Sequence, residues 1–172
     1  MPYVSHAELA ERPGARELAQ VASTDHKAIV DYGLMDAALR GEDLSPWTPE
    51  EQAAAGVALT RIDDAVREAD GVIDGFLARR YTLPLASPVP PVVTGWSRAI
   101  GRYLLHKDRK SLDKDDPIVR DYREAVRLLQ LAADGKFSLG VGDETVSSTG
   151  GSDVRFESDP AVFGRDQLKA FR

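Results

Sequence analysis

LTRIDDAVREADGVIDGFLARRYTLPL, residues 59–85, carries the strongest periodicity in the chain. Apolar residues recur at Leu59, Ile62, Val66, Ala69, Ile73 and Phe76, at alternating steps of three and four. Residues so spaced share one face of an α-helix, so the stretch predicts an amphipathic helix with a core-facing stripe. Leu77 and Tyr81 widen that stripe, and Pro84, which lacks an amide hydrogen, closes it. Arg61, Asp63, Asp64, Arg67, Glu68, Asp70 and Asp74 fill the intervening positions and are expected to form a solvated face. Gly71 and Gly75, four apart, have two readings: a surface that lets another backbone approach closely, or two glycines merely tolerated. Each costs the helix about 1 kcal/mol relative to alanine.

The helix gains an earlier start upstream. Thr48-Pro49-Glu50-Glu51 places a capping threonine before a proline at the first helical position and a glutamate that can reach back to the cap. From there to Arg80 one helix would hold about 32 residues and extend about 48 Å, with Gly56 its expected break. Ser5-His6-Ala7-Glu8 repeats the capping signature and predicts a short helix to about Arg12, interrupted at Pro13-Gly14. A second short helix is expected over residues 15–22 with Leu18 and Val21 inward. Residues 28–39 offer Ile29, Tyr32, Leu34, Met35 and Leu39 for a further helix or two turns, followed by a loop to Trp47.

Beyond the central stretch, the prolines of PLASPVPP (84–91) predict an extended connector. A helix should follow from Val92 or Val93 to His106 or Lys107, with Val93, Trp96, Ile100, Tyr103 and Leu104 inward. Asp116-Pro117 opens another helix, striped by Ile118, Tyr122, Ala125, Leu129 and Ala132 and stopped by Gly135. Arg120, Arg123 and Arg127 on its outer face pair with the neighbouring Asp121 and Glu124. After Gly135 the composition changes. Residues 136–141 suit a short extended segment, 142–153 form a Gly/Ser-rich loop, and 154–157 suit a strand. The end, FGRDQLKAFR, presents Phe163, Leu168 and Phe171, a composition suited to docking on a neighbour.

Composition bounds the function. The 172 residues, 42% of them hydrophobic, suffice for one domain with appendages. Without cysteine there are no disulfides and no thiolate zinc sites. No apolar run reaches the roughly 20 residues of a membrane span, and the opening MPYVSHAELAERPG lacks the features of a signal peptide, so a soluble protein made in the cytoplasm is expected. The net charge of −6 gives no general attraction to nucleic-acid phosphates, although a surface past which DNA slides without sticking would also be acidic. His6, His26 and His106 share no metal-ligand spacing, and the charged run 108–116 lacks the glycine and terminal glutamate of a calcium loop. No phosphate-binding glycine loop, nucleophile elbow or zinc-protease motif occurs. The residues alone therefore predict an all-α protein: a mainly helical bundle over 1–136 with one long central helix, and an extended C-terminal arm over 137–172 with room for short strands.

ADGVIDGFLARRYTLPL (69–85), PPVVTGWSRAIGRYLLHKDR (90–109), IVRDYREAVRLLQLAADGKFSLG (118–140) and VFGRDQLKAF (162–171), in that order and spacing, resemble the small head–tail connector proteins of Mu-like phages and prophages. The opening VSHAELAERPGARELAQVAS resembles the family's start more loosely, and residues 25–58 look like an inserted element. The resemblance implies an all-helical, non-enzymatic virion protein with no catalytic residue and no cofactor. It would form a ring, dodecameric by analogy, beneath the portal in the neck. Its partners would be other copies of itself, the portal protein and a tail-side neck or terminator protein, with genomic DNA passing through the channel and no membrane contact. On that reading Gly71 and Gly75 admit a neighbour, while Phe156, Phe163, Leu168 and Phe171 anchor the arm and Arg165 and Asp166 lock it. Three alternatives stand beside it: another tail-completion protein, an acidic phage regulator of a partner protein, and a metal-dependent enzyme using Asp113, Asp115 and Asp116.

Overall fold

The computed structural model describes residues 2–23, 28–107 and 115–140, and these residues form helices, turns and connectors without a strand. Six α-helices follow one another: α1 (His6–Leu9), α2 (Ala15–Ala22), α3 (Tyr32–Arg40), α4 (Pro49–Leu77), α5 (Pro91–Lys107) and α6 (Pro117–Ala133). The expected all-α bundle with a long central helix is what these residues adopt. None of the helices is long and apolar enough to cross a membrane.

The helix starts follow local chemistry. The Ser5 and Thr48 side chains accept from the amides of Glu8 and Glu51, whose carboxylates bond back to the cap residues, completing two capping boxes. Asp31 and Asp116 cap α3 and α6 through their carboxylates. The break expected at Pro13-Gly14 occurs. Arg12 turns extended (φ −148°, ψ 121°) and Gly14 takes φ 105°, a left-handed conformation natural to glycine, before α2 begins.

α4 runs 29 residues, about 43 Å, without interruption. The break expected at Gly56 is absent, because one glycine inside a well-capped helix costs too little to end it. The helix ends at Leu77, earlier than the expected Arg80. Residues 78–80 tighten into a turn, and the Tyr81 amide bonds the Leu77 carbonyl at 2.8 Å as its ring enters the core.

α4 passes through two apolar cores. Its first half, with Ala55, Ala58, Ile62 and Val66, packs with Leu18, Ala22, Leu34, Met35 and Leu39. Its second half, with Ala69, Ile73 and Leu77, packs with Val93, Trp96, Ile100, Leu129 and Ala132. At Gly101, where α5 packs on α4, a Cβ would lie 3.8 Å from the Ala65 carbonyl oxygen, an ordinary van der Waals contact. Several predicted inward residues face elsewhere. Ile29 and Tyr32 are 51% and 66% exposed, because Asp31 caps α3 and leaves them before and at its first turn, off the Leu34–Met35–Leu39 stripe. Phe76 is partly exposed, with Leu77 taking the buried position. Tyr103 lies at the margin, stacked on Tyr122 with ring centroids 4.1 Å apart.

α6 ends as predicted at Gly135, whose φ of 76° lets the Lys136 amide turn back to the Leu131 carbonyl at 2.8 Å. Phe137 then tilts against Trp96, and the Leu139 amide donates to the Tyr81 hydroxyl at 3.2 Å. Packing on the body thus continues through Leu139. The strand expected at 154–157 and the arm residues Phe156, Phe163, Arg165, Asp166, Leu168 and Phe171 lie outside the described residues, as do His26 and Asp113.

Candidate interaction surface

The solvent side of α4 is divided between a polar strap and an open strip. Asp70 and Asp74, one turn apart, share a face with Asp63 and Arg67. Across Asp70 and Asp74 runs the N-terminal segment: the Tyr3 amide donates to Asp70 Oδ2 at 3.0 Å and the Tyr3 hydroxyl donates to Asp74. From α5, Ser97 donates to Asp70 Oδ1 at 2.7 Å and Thr94 donates to the Tyr3 carbonyl at 2.9 Å. Burial pushes the Asp70 carboxyl above its ordinary range despite its bonds to Ser97 and Tyr3. Burial also raises the Tyr3 hydroxyl, and the neighbouring Asp74 and Asp70 raise it further. The expected solvated face is therefore corrected here: Asp70 is half-buried beneath the Tyr3 segment, and two polar groups from distant segments, the Tyr3 amide and the Ser97 hydroxyl, converge on it. Arg61 also turns inward, donating to the Ala22 and Ser23 carbonyls at 3.2 and 3.1 Å.

Beside the strap lies a groove of about 520 Å³ bordered by Pro2, Asp63, Arg67, Asp70, Gly71 and Asp74. His6 contacts Asp63 at its edge, 2.6 Å away. Gly71 and Gly75 are exposed, and a Cβ built on either would meet no atom of the described residues within 4 Å, the helix's own neighbouring backbone aside. Packing among the described residues therefore does not require glycine at these positions. Val57, 52% exposed, and Val72 add apolar surface on the same helix.

A second polar cluster joins α2 to α5. Arg102 donates through Nε and Nη2 to the two Glu17 carboxylate oxygens at 2.6 and 2.8 Å, and His106 Nε2 lies 2.9 Å from Oε1. Burial raises the Glu17 carboxyl, but the bonds from His106 and Arg102 outweigh it and hold the group down at about 2. The Glu17 carboxylate in turn raises Arg102. No group of three potential metal-ligating side chains occurs among the described residues. The outer face of α6 holds the predicted ion pairs Arg120–Asp121 and Arg127–Glu124.

Sequence reasoning singled out Gly71 and Gly75 but missed both polar clusters. The available signals were Thr94 and Ser97 inside the apolar stripe of α5, and Arg102 and His106 one turn apart.

The helical framework coincides with a family defined by sequence. Residues 3–157 match the family model described as Bacteriophage Mu, Gp36. The chain belongs to the phage Mu Gp36 family. Among curated relatives it is 36% identical to the Mu-like prophage FluMu protein gp36 of Haemophilus influenzae over 127 residues, 73% of this chain and 83% of that one. It is 34% identical to gene product J of Escherichia phage Mu over 123 residues, 71% of this chain and 81% of that one. No solved structure matches the chain. This Gp36-family chain is thus a protein of the Mu-like phage class, as the resemblance implied.

Proposed function

We propose that this Gp36-family protein is a structural virion component, a head–tail connector that forms a ring below the portal, extends the DNA channel and joins head to tail. The observation that carries the reading is the open strip on α4. Two helical glycines lie four residues apart on the longest helix, and among the described residues a Cβ on either would meet no atom within 4 Å. Glycine there costs helix stability and gains nothing inside the subunit, which is the pattern expected where a second backbone approaches. Self-association through a repeated heterologous contact closes into a ring when the rotation between copies closes. Leu139, bonded to Tyr81, is buried on the body just before the end of the described residues. The family match supports a phage role, and the net charge of −6 suits a passage that DNA traverses without adhering. No catalytic step is assigned.

Disrupting the gene in its phage tests the proposal. The expected result is DNA-filled heads and complete tails that do not join, with joining restored by adding back the protein. Normal yields of joined particles would overturn it, as would loss of DNA packaging with no free tails.

A further inference from the structure

The exposed positions of α4 and its final turn from Gly71 onward are Gly71, Val72, Gly75, Ala78 and Arg79, a low seat with a single charge. This end of the helix is cationic. Residues 75–97 contain Arg79 and Arg80 and no carboxylate, and Gly135 lies against the Arg80 guanidinium, which brings Lys136 to the same end. Asp134, 3.7 Å from Arg79, is the carboxylate set among these three cations, and Asp74 at the margin is engaged by the Tyr3 hydroxyl. The start of α4, about 43 Å away, has the opposite character. Residues 28–52 hold six carboxylates and one cation, Arg40, which Asp36 binds at 3.0 Å. The Gln52 side chain donates to the Leu44 and Trp47 carbonyls at 2.8 Å each, which folds the preceding loop onto the first turn and brings Glu42 and Asp43 toward Glu50 and Glu51. Gly33, at the start of α3, lies beside the Trp47 ring, so its exposed neighbours Tyr32 and Ile29 stand at this same corner. Two large exposed apolar side chains within a charged rim have the anatomy of an interface, and tyrosine is among the residues that anchor one.

We propose that the glycine seat of one copy receives the Tyr32 corner of the next. This rests on the ring reading of the α4 strip and supplies the strip's occupant. Charge selects a second copy: the chain carries both an acidic corner and a cationic seat, and opposite potentials steer and register a contact. Because the two patches lie at opposite ends of α4, each copy gives one and takes one, the heterologous arrangement that repetition into a ring requires. A symmetric pairing would set corner on corner, carboxylate against carboxylate. Glycine at 71 and 75 leaves the helix backbone bare, so the flat Tyr32 ring can lie directly on it while the corner carboxylates meet Arg79, Arg80 and Lys136.

The chain has no cysteine, so introduced ones report the contact without background. Ile29→Cys/Val72→Cys keeps Tyr32 and both glycines. Treated with a short bismaleimide, both as the purified full chain and in cells producing phage, it should give a ladder of dimers, trimers and larger species. Ile29→Cys alone and Val72→Cys alone should give none. In the double-cysteine chain, Glu42→Lys/Glu50→Lys and Arg79→Glu/Lys136→Glu should each lower the ladder about tenfold or more, with circular dichroism unchanged. Produced together, the two should restore it, because the reversed corner of one then meets the reversed seat of the other. Tyr32→Ala should weaken the ladder several-fold. Absence of a ladder in both settings overturns the proposal, as do cross-linked dimers from a single-cysteine chain, which mark a symmetric contact, or a ladder indifferent to both charge reversals. Normal joining of heads and tails after disruption of the gene would instead overturn the connector reading and leave a ladder standing.

Discussion

Replacing Gly71 and Gly75 with alanine separates the stability of the subunit from its ability to assemble. Both residues are inside α4, and a Cβ at either meets no atom within 4 Å. Alanine therefore introduces no clash and removes the excess conformational freedom of glycine from the unfolded chain, worth about 0.5–1 kcal/mol at each site. The pair should stabilise the isolated subunit by about 1–2 kcal/mol, raising Tm by roughly 2–8 °C for a chain of this size. Leucine at both positions projects a side chain several ångströms beyond the Cβ, into the space that the proposed ring contact would occupy. The assay is a thermal melt of each variant beside complementation of a phage lacking the gene. The Gly71→Ala/Gly75→Ala chain should melt higher and complement less well, and Gly71→Leu/Gly75→Leu should fold yet fail to complement. A leucine variant that folds and supports normal particle yields would refute the claim that a neighbour approaches this strip.

Three further outcomes follow from the interior. Glu17 has its carboxyl held near 2 rather than 4.5, so its contribution of about 3 kcal/mol is fully present above the ordinary value and fades as pH falls toward 2; denaturant unfolding across that window should show a flatter pH dependence in Glu17→Gln. Met35, fully buried in the first core, should cost about 2–5 kcal/mol as Met35→Ala, read by the urea midpoint; a loss under 1 kcal/mol would mean that α3 is not integral to that core. Thr48→Ala removes the cap of α4 and should cost about 1 kcal/mol, with most of the helical signal retained in circular dichroism.

The helices were legible because their signals are local. Thr48 and Glu51 mark the start of α4 within three residues of each other, and the 62–66–69–73 spacing gives its buried face without reference to any partner. What escaped depends on contacts between distant segments. Asp70 reads as one more surface carboxylate until Tyr3, 67 residues away, and Ser97, 27 away, are brought to it. Glu17 similarly lies 85 residues from Arg102. The orientation of Tyr32 depended on Asp31 acting as the cap, a choice between neighbouring frames that periodicity in a nine-residue helix does not fix. The glycines of α4 were legible as candidates, and the structure adds that packing among the described residues does not need them: a Cβ on Gly71 or Gly75 would meet none of their atoms within 4 Å.

The connector claim is tested most directly by counting this protein in purified particles of its phage by quantitative mass spectrometry, with the portal protein as the internal standard. A ring matched to the portal predicts a copy ratio of about one. Its absence from particles that contain portal protein would contradict the account and leave a non-virion, protein-binding role in its place.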